Sequence, residues 1–184
     1  RVLATTATAT AQAAQRICEL LSIDADHVYK DKTARTNLEL KDLRSAKDRE
    51  CALLSLVSDG TKTVVYVNSR EQAQALTRML RHRIPEIGHK VAFYHAGLTP
   101  QIRKNVECAF RRGDVCCIIA TSAFGEGVNI SDIRQVILYH LPFGRVAFNQ
   151  MSGRAGRDGK PSKIYMLFDA HDMRVNERIL SSRA

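Results

Sequence analysis

Residues 150–159 read Gln-Met-Ser-Gly-Arg-Ala-Gly-Arg-Asp-Gly and carry the residue types in this chain best suited to chemistry. Arg154 and Arg157 stand three positions apart, a spacing that on a helical start turns both guanidiniums the same way. Ser152, Ala155 and the glycines keep the surroundings small enough for a ligand or a second backbone to come close. A guanidinium is a rigid, permanently charged fork that matches phosphate oxygens. The turn therefore fits a pair of arginines aimed at a nucleoside triphosphate, and it equally fits a basic surface turn. Its residues alone do not choose.

A chain that hydrolyses a nucleotide unaided carries a phosphate cradle of the form G-x-x-x-x-G-K-[ST]. None is present. Gly159-Lys160 is followed by Pro161, which has no hydroxyl for magnesium, and Arg154 stands where the first glycine belongs. No acidic pair follows a strand, so this chain by itself is expected not to turn over ATP. His95 follows a strand, but no nucleophile or carboxylate pattern surrounds it, and it reads as a polar contact rather than a base. His171-Asp172 reads as a solvated pair on a surface helix. Ser69 and Thr121 lack a paired base, which argues against nucleophilic catalysis. At helix starts, their hydroxyls and neighbouring N–H groups suit phosphate oxygens, and Ser69 also suits an N-cap.

The elements that must position these residues follow from periodicity. Residues 63–67 and 115–120 are continuous apolar runs, as expected of strands covered on both faces. Further strands are expected at 2–5, 27–29, 38–43, 91–94, 135–139 and 164–168. Helices are expected at 11–21, with Thr10 as N-cap and Ile17, Leu20 and Leu21 inward, and at 45–57, with Ser45 and Asp48 at its start. Others follow at 69–82, at 100–112 behind Thr99-Pro100, at 147–151, and after residue 168. Strands alternating with helices predict a parallel α/β sheet with helices on both faces. Ligands of such sheets sit beyond the carboxyl ends of the strands. Those ends carry Asn68-Ser69-Arg70, His95-Ala96-Gly97, Thr121-Ser122 and residues 125–129.

The chain has 184 residues, a hydrophobic fraction of 45% and a net charge of +9, enough for one core and suited to a polyanionic partner. Its five cysteines are odd in number and lack C-x-x-C spacing, which suggests neither a disulfide framework nor a zinc site. A reducing, cytoplasmic setting fits best. No apolar stretch approaches the length of a membrane span, so no membrane partner is expected. The opening Arg1, with a strand already under way behind it, reads as a fragment of a longer protein.

In order and spacing, these segments resemble the second RecA-like motor domain of superfamily 2 helicases, most closely the RecQ-like DNA helicases. Thr5-Thr6-Ala7-Thr8-Ala9 is similar to the threonine/alanine motif that closes the first motor domain. Residues 65–70 and 94–98 resemble the first signatures of the second domain, and Gln101 and Arg103 the pair shared with DEAD-box relatives. Residues 119–129 are similar to the fifth motif and residues 150–159 to the sixth.

The resemblance implies that residues 1–35 are the end of the first motor domain and a linker, with the second RecA-like domain at 36–184. It implies ATP and Mg2+ as cofactors, held mainly by the first RecA-like domain, which becomes a partner. By the same resemblance Arg154 and Arg157 reach the γ-phosphate as arginine fingers, and Gln150 supports their loop. Gly125, Gly127 and Asn129 lie near the nucleotide, with no metal ligand in this domain. Asn68, Ser69, Arg70, His95, Gly97, Arg103 and Thr121 form or support a track along single-stranded or partly duplex DNA. The expected role is an ATP-dependent DNA helicase of repair and recombination, in the bacterial cytoplasm or nucleoid. Two alternatives stand beside it: a non-catalytic nucleic-acid-binding module that kept the fold, and an RNA helicase of a related subfamily.

Overall fold

Thr63-Val64-Val65-Tyr66 and Cys117-Ile118-Ile119-Ala120 carry no polar face, and both runs form strands with every residue buried. In the computed structural model, which describes residues 2–6, 10–29, 35–125 and 128–181, they lie side by side in the middle of a parallel sheet. The chain divides into two compact units, Arg1–Thr36 and Asn37–Ala184.

The first unit contains α1 (Ala11–Leu21) and a single 3-10 turn at Ala25–His27. Thr10 caps α1 as expected, its hydroxyl accepting from the Ala13 N–H at 3.2 Å. The expected inward face is not realised: α1 buries none of its residues, and Leu20 is 73% exposed. Among the described residues of this unit no strand or second α-helix accompanies α1 as a layer to pack on. Residues 2–5 pair with no described strand, and the 3-10 turn replaces the strand expected at 27–29. Ala7, Thr8 and Ala9, and residues 30–34 of the expected linker, lie outside the described residues.

The second unit holds six strands: β1 (Leu38–Asp42), β2 (Thr63–Tyr66), β3 (Val91–Tyr94), β4 (Cys117–Ala120), β5 (Gln135–Leu138) and β6 (Ser162–Met166). Their order is β1-β6-β5-β2-β4-β3, and each neighbouring pair is parallel. Side chains alternate across the sheet and feed two cores. Val65, Val67, Ile119, Ile137 and Leu167 pack on one face with Leu53 and Val57 of α2 (Arg49–Val57) and Ala73, Leu76 and Leu80 of α3 (Arg70–Arg83). Val64, Tyr66, Ile118, Val136 and Leu138 pack on the other. There they meet Phe110 of α5 (Pro100–Arg112) and Met151 of α6 (Gly144–Ser152). The doubly covered parallel sheet is thus as expected.

Two boundaries differ in an informative way. Helix α2 starts at Arg49, not Ser45, because the Asp48 carboxylate takes the cap, accepting from the Cys51 N–H at 2.9 Å. A short helix, α4 (Pro85–Gly88), follows α3 where only a connection was expected. The last helix, α7 (Ala170–Ser181), starts behind Asp169, whose carboxylate accepts from the N–H groups of His171 (2.8 Å) and Asp172 (3.0 Å).

Candidate nucleotide and nucleic-acid interface

Parallel strands deliver all their carboxyl ends to one edge, and the register makes that edge level. Tyr66, Ala120 and Leu138 stand opposite one another, as do Tyr94 and Ala120. The chain therefore leaves β2, β4 and β3 at the same height, and Asn68, Ala96 and Ser122 stand two residues above it. Asn68, Ser69, Arg70, Ala96, Thr121 and Ser122 line a cleft of about 630 Å³ there, with Glu71 and Ala123.

Ser69 caps α3, its hydroxyl accepting from the Gln72 N–H at 3.1 Å, so the positive end of a 14-residue helix opens on this cleft. The Glu71 carboxyl is held below its ordinary range by its own backbone N–H and by the Ser69 hydroxyl. It places one fixed negative charge beside Arg70. Arg70 lies against Gly97: a Cβ there would come within 2.9 Å of its Nη1 and 3.2 Å of His95 Nδ1. A side chain at this position would push the guanidinium aside.

His95 is 5% exposed, stacked on Phe93 with ring centroids 5.5 Å apart, and its Nε2 is 3.4 Å from Gln74 Nε2. It does not itself line the cleft. Arg103 sits half-buried on α5 near Tyr94 and does not line the cleft. The Tyr94 hydroxyl donates to Glu107 at 2.6 Å, and its phenol is pushed up to about 12 by burial and then by that carboxylate.

The arginine turn is held beside the amino-terminal ends of β1, β5 and β6, through Asn37, Ile133 and Ser131, not at the carboxyl edge that carries the cleft. It follows the carboxyl-terminal end of α6 rather than opening a helix, which corrects the expected setting. Arg154 lies over Gly125, whose φ of +127° and missing side chain make room: a Cβ would stand 2.6 Å from Arg154 Nε. Its Nη1 donates to the Val128 carbonyl at 3.2 Å. Arg157 is exposed, with its Nε donating back to the Gly153 carbonyl at 3.2 Å. Both guanidiniums act electrostatically on the Tyr66 phenol, which burial nevertheless pushes well up. The Tyr66 hydroxyl donates to the Phe124 carbonyl at 3.1 Å, tying the loop after β4 to the end of β2. Gln150 is exposed near the end of α6, and Asn129 is exposed in the loop after β4. Gly127 lies outside the described residues.

The structure thus brings some of the predicted residues into two groups joined by one loop, while Arg103 and Gln150 line neither. Thr121, Ser122 and Ala123 line the cleft, and Gly125, two residues on, seats Arg154. Sequence reasoning missed what holds the turn. Gly156 N–H donates to the Ile133 carbonyl (2.7 Å) and Asp158 N–H to the Ser131 carbonyl (3.2 Å). Arg134 pairs with Asp158 at 2.6 Å, and Asn37 donates to the carbonyls of Gly156 and Lys160 at 2.8 Å each. An asparagine just ahead of a strand signals a side chain bonded to loop backbone. The partner, more than a hundred residues away, leaves no local trace.

Residues 45–159 match the helicase conserved C-terminal domain family. The chain is 33% identical over 181 residues to the ATP-dependent DNA helicase RecQ of Pasteurella multocida, covering 97% of this chain and 28% of that protein. It is 30% identical over 184 residues to the putative ATP-dependent RNA helicase R290 of Acanthamoeba polyphaga mimivirus, covering 98% and 32%. The chain therefore spans about a third or less of these relatives. Among solved structures, Saccharomyces cerevisiae Dbp5 bound to RNA and ADP BeF3 superposes with a TM-score of 0.71 at 20% identity, over 96% of this chain and 47% of that one. The helicase MrfA bound to DNA gives 0.62 at 21%, over 78% and 22%. These two share the fold, a parallel six-stranded sheet of RecA type with flanking helices. With its family matched across 45–159 and RecQ proteins similar over nearly its whole length, the chain belongs to the helicase C-terminal domain family and is most like the RecQ group.

Proposed function

We propose that this chain supplies the second motor domain of an ATP-dependent DNA helicase of RecQ type. Residues 1–35 are then the end of the first motor domain and its linker, and residues 36–184 the second. The observation that carries this reading is the loop shared by the cleft and the arginine turn, with Thr121 to Ala123 on one and Gly125 under Arg154 on the other. A motor has to couple its grip on a strand to the state of its nucleotide, and one loop touching both provides a short route. A plain strand-binding module has no need of the arginines.

In this reading Arg154 and Arg157 face the phosphates of ATP whose cradle belongs to the first motor domain. Guanidiniums there stabilise charge that grows in the transition state, an effect worth about 10³ to 10⁵ in rate for arginine fingers. Gln150 supports the turn, and Gly125, Gly127 and Asn129 flank the nucleotide. The donor set fits phosphate oxygens. In this reading Mg2+ is held mainly by the first motor domain. Asn68, Ser69, Arg70 and Thr121 hold the sugar-phosphate backbone of single-stranded or partly duplex DNA. Gly97 and His95 fix Arg70, and Arg103 supports Tyr94 behind them. Backbone contacts carry little sequence information, so the grip is sequence-tolerant. A role in DNA repair and recombination, in the cytoplasm, belongs to the same proposal. Similarity to a putative RNA helicase keeps single-stranded RNA as the second substrate to assay.

Steady-state ATP turnover of the full-length protein, with and without single-stranded DNA or RNA, tests this alongside a binding titration. Arg157→Ala and Arg154→Ala should lower stimulated turnover far more than strand binding, whereas Arg70→Ala should weaken binding and stimulation more than basal turnover. Should Arg157→Ala leave stimulated turnover intact and only strand binding suffer, the turn belongs to the nucleic-acid surface instead.

A further inference from the structure

Arg157 can act on a phosphate only if its turn is held still, and the bonds inside the turn (Gly159 N–H to Gly156 O at 3.0 Å, Arg157 Nε to Gly153 O at 3.2 Å, Lys160 N–H to Asp158 Oδ1 at 3.2 Å) are joined by others from outside it. Gly156 adopts φ +51°, and Asp158 and Gly159 are exposed. One wall is provided by the segment before β5, through the Ile133 and Ser131 carbonyls and the Arg134–Asp158 pair. The other comes from the far edge of the sheet. Asn37, immediately ahead of β1, donates from one Nδ2 to Gly156 O and to Lys160 O, which lie on either side of Arg157. An amide nitrogen carries two hydrogens, so one side chain can bond both carbonyls at once. The fit is close: a Cβ on Gly156 would clash with Ser162 Oγ and stand 2.7 Å from Asn37 Nδ2 and 2.8 Å from the Lys160 carbonyl.

We propose that Asn37 is a positioning residue for Arg157, closing the arginine turn from outside residues 45–159, the part matched by the helicase family. This rests on the arginine reading given above. Asn37 touches no phosphate itself; it acts by fixing the two carbonyls that flank the arginine. Displacements of about 1 Å at a reacting group can cost on the order of 100-fold in rate, so the loss of both bonds should be visible in turnover.

The test uses the full-length protein carrying Asn37→Asp, Asn37→Ser, Asn37→Ala or Gly156→Ala, each also combined with Arg157→Ala. Aspartate keeps the size of asparagine and lacks the donors, so a role in packing would survive Asn37→Asp and a role in donation would not. Asn37→Asp, Asn37→Ala and Gly156→Ala should lower DNA-stimulated kcat by roughly 10- to 100-fold, with KM for ATP and strand affinity held within about threefold. Asn37→Ser, with one hydroxyl donor, should fall between. On the Arg157→Ala background the Asn37 changes should cost little more, because residues acting through one group are not additive. If Arg157→Ala lowers kcat while Asn37→Asp does not, the positioning role is overturned and the arginine reading stands. If Arg157→Ala is itself without effect, the arginine reading falls first. Loss of kcat that tracks loss of folded protein in a thermal melt, or that multiplies with Arg157→Ala, assigns Asn37 to stability alone and overturns the proposal.

Discussion

At the scale of single residues, the two arginines of one motif have different surroundings, and this gives them separable behaviour. Arg154 is seated, with Gly125 beneath its guanidinium and Val128 O as a partner. Gly125→Ala meets a φ of +127° and an occupied space together, so it should destabilise the domain by about 1–3 kcal/mol in a urea titration and unseat Arg154 as well. Arg157 is exposed, and what matters there is the shape of its charge. Arg157→Lys in the full-length protein should recover little of the turnover lost in Arg157→Ala, because an ammonium cannot reproduce the planar fork; steady-state kcat is the measurement. That both arginines share one turn was legible from spacing. Their difference in seating was not, because Gly125 lies nearly thirty residues upstream and meets Arg154 only through the fold.

Elements are joined by contacts that no local pattern announces. Arg49, at the start of α2, lies over the Tyr139 ring at 4.1 Å and pairs with Asp169 at 2.9 Å and Asp172 at 3.1 Å; its Nη2 also donates to the Tyr139 carbonyl. One side chain thus ties α2 to the end of β5 and the start of α7. Arg49→Ala should cost roughly 2–3 kcal/mol, with the further loss on adding Asp172→Ala smaller than Asp172→Ala alone, as denaturant titrations of the cycle would show. The Asp169 carboxyl is held below its ordinary range by the Asp172 backbone N–H and then by Arg49. A folded value below the unfolded one means that the stabilisation is complete above the ordinary carboxylate range and is lost as pH falls through the lowered value. Asp169→Ala should therefore cost about 1 kcal/mol near neutrality, the scale of a lost helix cap, and the gap to the parent should close in acid. The apolar runs of β2 and β4 and the Thr99-Pro100 start of α5 were legible because local composition decides them. Where Ser45 was read as the cap, Asp48 won, since only its carboxylate reaches a free N–H at the true first turn. Residues 2–5 read as a strand by composition, yet a strand needs a partner ladder, and none is present among the described residues.

For the whole molecule, the formal charge of +9 bears on association rather than on fold. Strand binding by this chain should weaken by about tenfold or more between roughly 50 and 200 mM salt, by fluorescence anisotropy on a labelled oligonucleotide. Affinity independent of salt would remove the case for backbone contacts. The chain alone should show no ATP turnover above background in a coupled assay, since it has neither cradle nor a converging carboxylate set among its described residues. The parallel, doubly covered sheet could be inferred from the alternation of elements. Its strand order could not: β2 sits between β5 and β4, and β1 beside β6, through pairings that depend on the entire chain.

That order has a consequence for how the protein is made. The first strand of the sheet to leave the ribosome, β1, finds its partner only in the last, β6, with Leu38 opposite Ser162. At about 5–20 residues per second, the wait is on the order of ten seconds, during which β1 is an unpaired edge. Its sequence, Leu-Glu-Leu-Lys-Asp, suits that interval, because three of five residues are charged and a nascent neighbour gains little by adding to it. The contact of Asn37 with Lys160 spans 123 residues and is among the last to close. The arginine turn is therefore finished only when the domain is, and a nascent chain cannot present Arg157 in its bonded turn before the sheet that supports it is complete.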